Sequence, residues 1–257
     1  MVTFKFNVVT KIALTALFTA ITIILTRLIS IQNFAPIQFI RISLGPSMLI
    51  FAGLVLGPIY GGIAGLLSDV IGFFLFDTSG FGYNPLLSIT YLGYGLLPGL
   101  LIYLFRFNKK YHFPFIQLIG LLALDIFAII FFTQNNSLTL YGKVYELNDV
   151  LRYGFIGGTI LITFIYFSLY FLFSRTIKKE EEKIYLSNIS AIVLITLVLF
   201  QLIIGGTIKA FMFEVDFLFL FASQVVATMI EMLLGTYLVF VLYIAMIHGF
   251  PKYIKNR

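Results

Sequence analysis

Three carboxylates interrupt stretches of the chain that are otherwise apolar, and they are the first candidates for chemistry. Asp69, Asp125 and Glu231 each fall inside or at the edge of a long hydrophobic run. An ionised carboxylate is costly in hydrocarbon, so each side chain is expected to face the protein interior and to find a partner there. Glu231, in the middle of the last run, is a candidate to bind a ligand donor or a buried cation. For Asp69, an interhelical hydrogen-bonding role and ligand contact both stay open.

Residues of the common catalytic and metal sites are scarce. The chain has no cysteine and only two histidines, His112 and His248, both beside basic residues near predicted helix ends. A thiolate nucleophile and a cysteine metal site are therefore excluded. The sequences H-E-x-x-H, G-x-S-x-G and G-x-x-x-x-G-K-[ST] are also missing, so the chain cannot by itself couple ATP to work. We expect no catalytic residue, no metal and no cofactor, and keep a membrane-embedded enzyme and a structural assembly subunit as alternatives.

The composition places these residues in a membrane protein. Of 257 residues, 60% are hydrophobic and 11% are charged, whereas a soluble domain carries about 25% charged residues. A helix of about 20 apolar residues crosses the hydrocarbon core of a bilayer. The chain is predicted to be an all-α integral protein of the cell membrane. Its eight candidate spans are 10–30, 44–57, 59–76, 86–106, 114–133, 151–174, 187–208 and 217–247. The second is too short to cross as a full straight helix.

The basic residues predict how the spans are oriented. With a cytoplasmic N-terminus, twelve of the 17 lysines and arginines fall on the cytoplasmic side, as the positive-inside rule favours. Both termini are then cytoplasmic. The loops that face out are longer and more polar than those that face in, as expected of a protein that collects a solute from outside. They are Ser30–Ser43, Asp77–Pro85, Gln134–Asp149 and Lys209–Asp216.

Two of these outer segments carry groups suited to ligand binding. The guanidinium of Arg41, just before the second span, could hold a carboxylate bidentately or could reach lipid headgroups. Tyr83 and Asn84 end the loop Asp77–Pro85, which could cap a planar ligand by stacking and amide hydrogen bonds. The same loop could equally be an ordinary turn with interfacial aromatic residues.

Small residues mark one face of the first span. Ala13, Ala16 and Ala20 are spaced three and four residues apart, so they share a helix face that allows another helix to approach closely.

Residues 10–106 resemble the substrate-binding S components of energy-coupling factor (ECF) vitamin transporters, particularly the folate family. The similar segments are Leu25-Thr26-Arg27, Ile40-Arg41-Ile42-Ser43-Leu44-Gly45-Pro46, the run from Ala52 through Gly57-Pro58 to Gly61-Gly62, and Ser68-Asp69-Val70-Ile71-Gly72. Residues 187–247 resemble the last two helices of that family more loosely.

The resemblance implies a vitamin-binding subunit that docks on a transmembrane coupling subunit driven by two ATPase subunits. The cargo most favoured is folate or a reduced folate, with riboflavin, pantothenate, thiamine or a nucleoside-like solute as alternatives. The family binds its vitamin with outer loops and the outer ends of later helices, and docks through small residues of the first helix, here Ala13, Ala16 and Ala20. The implied substrate contacts are Arg41, Tyr83, Asn84, Tyr91, Lys209 and Glu231.

The chain departs from the family in two ways. Typical members have six helices, so 114–174 is interpreted as an inserted helical hairpin between the first four core helices (10–106) and the last two (187–247), within one membrane domain over 1–257. Folate-type members also carry a basic residue near the start of the last helix, where this chain has Ala222-Ser223-Gln224.

Overall fold

The computed structural model describes residues 1–32, 41–76, 82–106, 114–135, 137–140, 143–146 and 148–254. The helices are α1 (Val8–Ile23, continued by a π-helical turn over Ile24–Leu28), α2 (Gly45–Leu56), α3 (Pro58–Phe76), α4 (Pro85–Arg106), α5 (Pro114–Gln134), α6 (Asp149–Thr176), α7 (Glu180–Leu197, continued by a π-helical segment over Val198–Ile204), α8 (Gly205–Phe213) and α9 (Phe217–Gly249). Two short antiparallel pairs lie between helices: β1 (Ile31–Gln32) with β2 (Arg41–Ile42), and β3 (Ser137–Leu140) with β4 (Lys143–Glu146).

Seven helices of the described part are long and apolar enough to cross a membrane, and α2 is the short apolar helix beside them. The predicted all-α membrane architecture is confirmed, and each predicted span corresponds to a helix. The structure adds the two β pairs. It also lengthens the seventh span, because α7, the π segment and α8 run on as one apolar helix over Glu180–Phe213.

Prolines and one glycine set the breaks between helices. Pro58, Pro85 and Pro114 each begin a helix, where the missing proline N–H is no loss because the first turn lacks a partner for it. Gly57 separates α2 from α3 with a φ of 89°, a left-handed conformation that glycine adopts without steric cost. The chain can therefore reverse direction between α2 and α3 in a single residue.

Helices α2, α3 and α4 pack through their backbones. A Cβ atom on Gly53, Gly61 or Gly95 would collide with the backbone of a neighbouring helix, and one on Gly65 would collide with the carbonyl group of Tyr91. Small residues let membrane helices approach closely enough for van der Waals packing to hold them together. The first four helices thus form a tight unit, with α1 packed against α2 and α3.

Helices α7 and α9 form the centre of the bundle, and α5 and α6 pack against them at its periphery. The amide of Gln117 on α5 donates to the carbonyl oxygen of Ser187 on α7 at 2.8 Å. Tyr237 on α9 donates to the carbonyl oxygen of Tyr166 on α6 at 3.1 Å. The pair α5–α6 is thus held at the periphery by polar contacts. Its interpretation as an insertion stays a prediction.

The two ends of the chain meet at one end of the bundle. The hydroxyl of Tyr243 donates to the carbonyl oxygen of Val2 at 2.6 Å, and the amide of Lys5 donates to the carbonyl oxygen of Tyr253 at 2.7 Å. This arrangement agrees with the expectation that both termini lie on the same side of the membrane. We call the opposite end, where α8 turns into α9 at Glu214–Asp216, the distal end.

Candidate functional site

A buried carboxylate lies between the distal end and the middle of the bundle. Glu231, on α9, is 2% exposed. Its Oε1 atom accepts a hydrogen bond of 2.6 Å from the backbone N–H of Ser43, just after β2. Its Oε2 atom is buried and has no hydrogen-bond partner among the described residues. Since leaving a buried polar atom without a partner costs free energy, this oxygen is an acceptor available to a ligand.

Further polar side chains surround Glu231. Gln224 and Thr228 precede it on α9 at intervals of four and three residues, and so share its helix face. The Nε2 atom of Gln224, the Oγ1 atom of Thr228 and the Oε1 atom of Gln201 are buried without a partner among the described residues. Lys209 donates to Oε1 of Gln224 at 3.4 Å and also interacts electrostatically with Glu231. The group therefore offers both donors and acceptors in a buried setting.

The π-helical segment after α7 brings Gln201 to this group, where it interacts with the carboxylate of Glu231. A π-helical segment shifts the side chains that follow it around the helix axis, and such segments are frequent at functional sites. The same segment carries Phe200, whose ring fills the position that a side chain on Gly93 of α4 would take.

Aromatic rings form the neighbouring wall. The ring of Tyr94 meets those of Tyr91 and Phe200 edge-on, at centroid distances of 5.8 Å and 6.3 Å. Tyr94 is 5% exposed and interacts electrostatically with Glu231. Apolar and aromatic walls with a few polar groups are typical of small-molecule sites. The arrangement suits a planar ligand with hydrogen-bonding groups on its edge or on an attached chain.

The structure brings together three of the six predicted substrate contacts. Lys209 interacts electrostatically with Glu231, and Tyr91 joins them through the ring of Tyr94. The backbone of Arg41 pairs with Gln32 two residues before Ser43, so it approaches the same region, but its side chain lies outside the described part of the chain.

Tyr83 belongs to a second cluster, and Asn84 follows it in the chain. Asn84 directly precedes α4, and its Oδ1 atom accepts from the N–H of Leu86 at 2.9 Å. The hydroxyl of Tyr83 lies 2.6 Å from Oγ of Ser88, and Ser88 donates to Asp69 at 2.7 Å. Residues 77–81 of the predicted capping loop lie outside the described residues. Tyr83 is thus linked to Asp69 rather than to Glu231, whereas Asn84 caps α4.

The other two acids of the apolar runs have their own surroundings. Asp69, on α3, forms an ion pair with Arg27 at 3.3 Å, in which both side chains are less than a tenth exposed. Asp125, on α5, interacts with the hydroxyls of Thr159 and Thr163 on α6. Neither acid faces the group around Glu231. In the described chain no three histidine, cysteine or acidic residues cluster as metal ligands would.

Comparison with known protein families identifies the chain. Residues 6–163, more than half of its length, match the family model described as "ECF-type riboflavin transporter, S component". The chain belongs to this family of ECF S components. It is therefore a substrate-binding component of a vitamin transporter and a multi-pass membrane protein, not an enzyme. No curated protein and no solved structure matched the chain.

Membership of the family implies a partnership with the coupling and ATPase subunits of an ECF module. In this S component the small residues of α1 are exposed, while Phe18 and Thr19 face the protein interior. Ala13, Ala16 and Ala20 thus lie on a face that no other helix of the described chain covers.

Several polar residues of the group around Glu231 are not predicted from the sequence of this S component. Gln201 and Gln224 lie within apolar runs, where uncharged amides are also costly unless they are paired. A search for amides as well as charges would have found them. Ser43 contributes its backbone N–H, and Tyr94 contributes its ring between Tyr91 and Phe200. No feature of the sequence distinguishes either residue.

Proposed function

We propose that this S component binds riboflavin, or a close relative with the same uncharged ring and hydroxylated chain, in the site around Glu231. The observation that carries the proposal is the buried Glu231 carboxylate, whose Oε2 atom has no hydrogen-bond partner among the described residues, close to the aromatic rings of Tyr91, Tyr94 and Phe200. Riboflavin has a planar ring that can stack on such a wall and hydroxyl groups that can donate to Glu231 and Gln201. The riboflavin family named by the matching model supports the same cargo.

Charge distinguishes riboflavin from folate at this site. Folate ends in a glutamate with two carboxylates, and a carboxylate placed beside buried Glu231 would meet a like charge, which disfavours binding. Lys209 is the cation that the described residues place beside Glu231, and it already interacts with Gln224. A neutral vitamin places no second negative charge in the site. Folate, favoured by the resemblance of residues 10–106, is the second candidate.

As an S component, the chain would take its vitamin from outside the plasma membrane and rely on partner subunits for ATP hydrolysis. The exposed face of Ala13, Ala16 and Ala20 is the proposed docking surface for the coupling subunit. It combines small side chains with exposure along one side of a spanning helix, which allows a second helix to approach closely in the membrane.

The decisive experiment is a binding titration with purified protein in detergent. Riboflavin fluorescence should be quenched on binding, and folate should not compete at similar concentrations. Glu231→Gln should weaken riboflavin binding by about 10- to 100-fold, because hydrogen bonds to a charged group contribute about 1.5–3 kcal/mol. Glu181→Gln, an exposed position at the start of α7, is the matched control and should bind normally.

Three results would contradict the proposal. Tight binding of folate without binding of riboflavin would show that folate, and not riboflavin, is the cargo. Equal affinity of wild type and Glu231→Gln for riboflavin would remove Glu231 from the site. Mass spectrometry of the protein purified from its host that finds only a lipid would argue against a vitamin cargo altogether.

A further inference from the structure

Three successive contacts join the facing sides of α3 and α4. Going from the middle of the bundle to the distal end, they pair Gly61 with Gly95, Gly65 with Tyr91, and Asp69 with Ser88. The positions advance by four residues on α3 and recede by four and then three on α4, as expected for one face of two antiparallel helices.

The first two contacts set the distance between the helices, whereas the third depends on their orientation. At Gly61 and Gly65 the backbones of the two helices touch directly, so these contacts fix how closely the helices approach. Such van der Waals contacts are not directional and allow a helix to rotate about its axis. The third contact is a hydrogen bond of 2.7 Å from Ser88 Oγ to Asp69 Oδ2, and a hydrogen bond depends strongly on direction.

Asp69 is itself fixed from the other side. Its Oδ1 atom pairs with Nη2 of Arg27 at 3.3 Å, and Arg27 lies over Gly72, where an added Cβ would stand 3.3 Å from its Nε atom. The hydroxyl of Tyr83 completes the chain of contacts at 2.6 Å from Ser88. The linked groups thus connect the end of α1, helix α3 and the first turn of α4.

We infer that Asp69 is a positioning residue for the substrate site: through Ser88 it sets the rotation of α4, and with it the direction of Tyr91 and Tyr94. Ser88 lies three residues before Tyr91 and six before Tyr94, within two turns of the same helix. A small rotation of α4 would carry the Tyr94 ring away from Glu231 and Phe200. The inference rests on the proposed function, because it assigns Tyr91 and Tyr94 to the wall that binds the vitamin.

The test uses the full chain in detergent and a variant that removes only the directional contact. Ser88→Ala deletes the hydroxyl between Asp69 and Tyr83, and Ser88→Thr restores a hydroxyl at the same position. Ser174→Ala is the matched control, because its hydroxyl donates to the carbonyl oxygen of Phe171 in the same helix at an exposed position. Riboflavin affinity is measured well below the melting temperature, and hydrogen exchange is followed in residues 85–94 and in α9.

Ser88→Ala should weaken riboflavin binding by about tenfold, the equivalent of one hydrogen bond. Hydrogen exchange should accelerate in residues 85–94 and stay unchanged in α9. Ser88→Thr should recover most of the affinity, and Ser174→Ala should resemble the wild type.

Faster exchange throughout the bundle would show that Ser88 only stabilises the fold, and unchanged exchange in residues 85–94 would show that it does not hold α4. Either result would overturn the inference. Failure of the wild type to bind riboflavin would instead refute the proposed function. The exchange pattern would still decide whether Ser88 controls α4.

Discussion

A single added methyl group at Gly65 tests whether the close approach of α3 and α4 supports the fold. The Cβ atom of an alanine there would collide with the carbonyl oxygen of Tyr91 and would lie 2.6 Å from its carbonyl carbon. Non-bonded carbon atoms prefer separations of about 3.5–4.0 Å. The two helices must therefore move apart by about 1 Å at this point, because backbone atoms cannot rotate out of the way as a side chain can.

The magnitude follows from two opposing contributions. Alanine favours a helix over glycine by about 0.5–1 kcal/mol, whereas forcing an extra methyl group into a packed interior costs about 1–3 kcal/mol. A gap of up to 1 Å also removes a quarter to a half of the dispersion energy of each contact that it opens. We expect Gly65→Ala to be destabilised by about 1–2 kcal/mol net.

The assay compares Gly65→Ala with Gly158→Ala. Gly158 lies within α6, and an added Cβ there meets nothing within 4 Å, so this variant keeps the helix-propensity gain and avoids the collision. Thermal unfolding in detergent, followed by circular dichroism, should give a lower melting temperature for Gly65→Ala. It should give an equal or higher one for Gly158→Ala. For a chain of roughly this size the difference should be about 5 °C.

An unchanged or raised melting temperature of Gly65→Ala would refute the reasoning, since it would mean that α3 and α4 do not touch at Gly65. A fall of the same size in Gly158→Ala would also refute it, because the loss would then come from alanine itself rather than from the collision.

Three further predictions concern transport and binding. Ala20→Leu should abolish uptake in cells that contain the whole transporter while riboflavin binding in detergent stays normal; loss of binding as well would show that this face does not serve docking. Lys209→Gln should weaken riboflavin binding by less than about tenfold, whereas a loss above about 100-fold would indicate an anionic cargo held by a charge-assisted contact. Phe200→Ala should weaken binding of the planar vitamin by about tenfold or more through the lost aromatic contact. Unchanged affinity in a titration would exclude Phe200 from the wall.

The positions of the spans could be predicted from the sequence because the forces that set them are local. A run of apolar residues favours a membrane-spanning helix whatever its neighbours are. Gly57-Pro58 forces a break through its own backbone restrictions. The exclusion of a cysteine-based site and of ATP hydrolysis by this chain likewise rests on the residues alone, because the sequence has no cysteine and no ATP-binding motif.

The roles of the three acids could not be predicted in the same way. A span that is apolar on all sides gives no strong preference for which face turns inward. The sequence of α3, α5 and α9 therefore does not tell which neighbour each acid meets. Only packing places Asp69 beside Arg27, Asp125 beside Thr159 and Thr163, and Glu231 beside the N–H of Ser43, 188 residues away along the chain.

The sequence by itself thus determined a multi-pass membrane protein without its own ATP-binding motif, because hydrophobicity and backbone restrictions act within each segment. The tertiary structure decided which side chains meet around Glu231, where we propose the substrate site. It turned Gln201 toward Glu231 through a π-helical segment and held α4 against α3 at glycines. Both features depend on contacts between helices far apart in the chain, and no local pattern specifies those contacts.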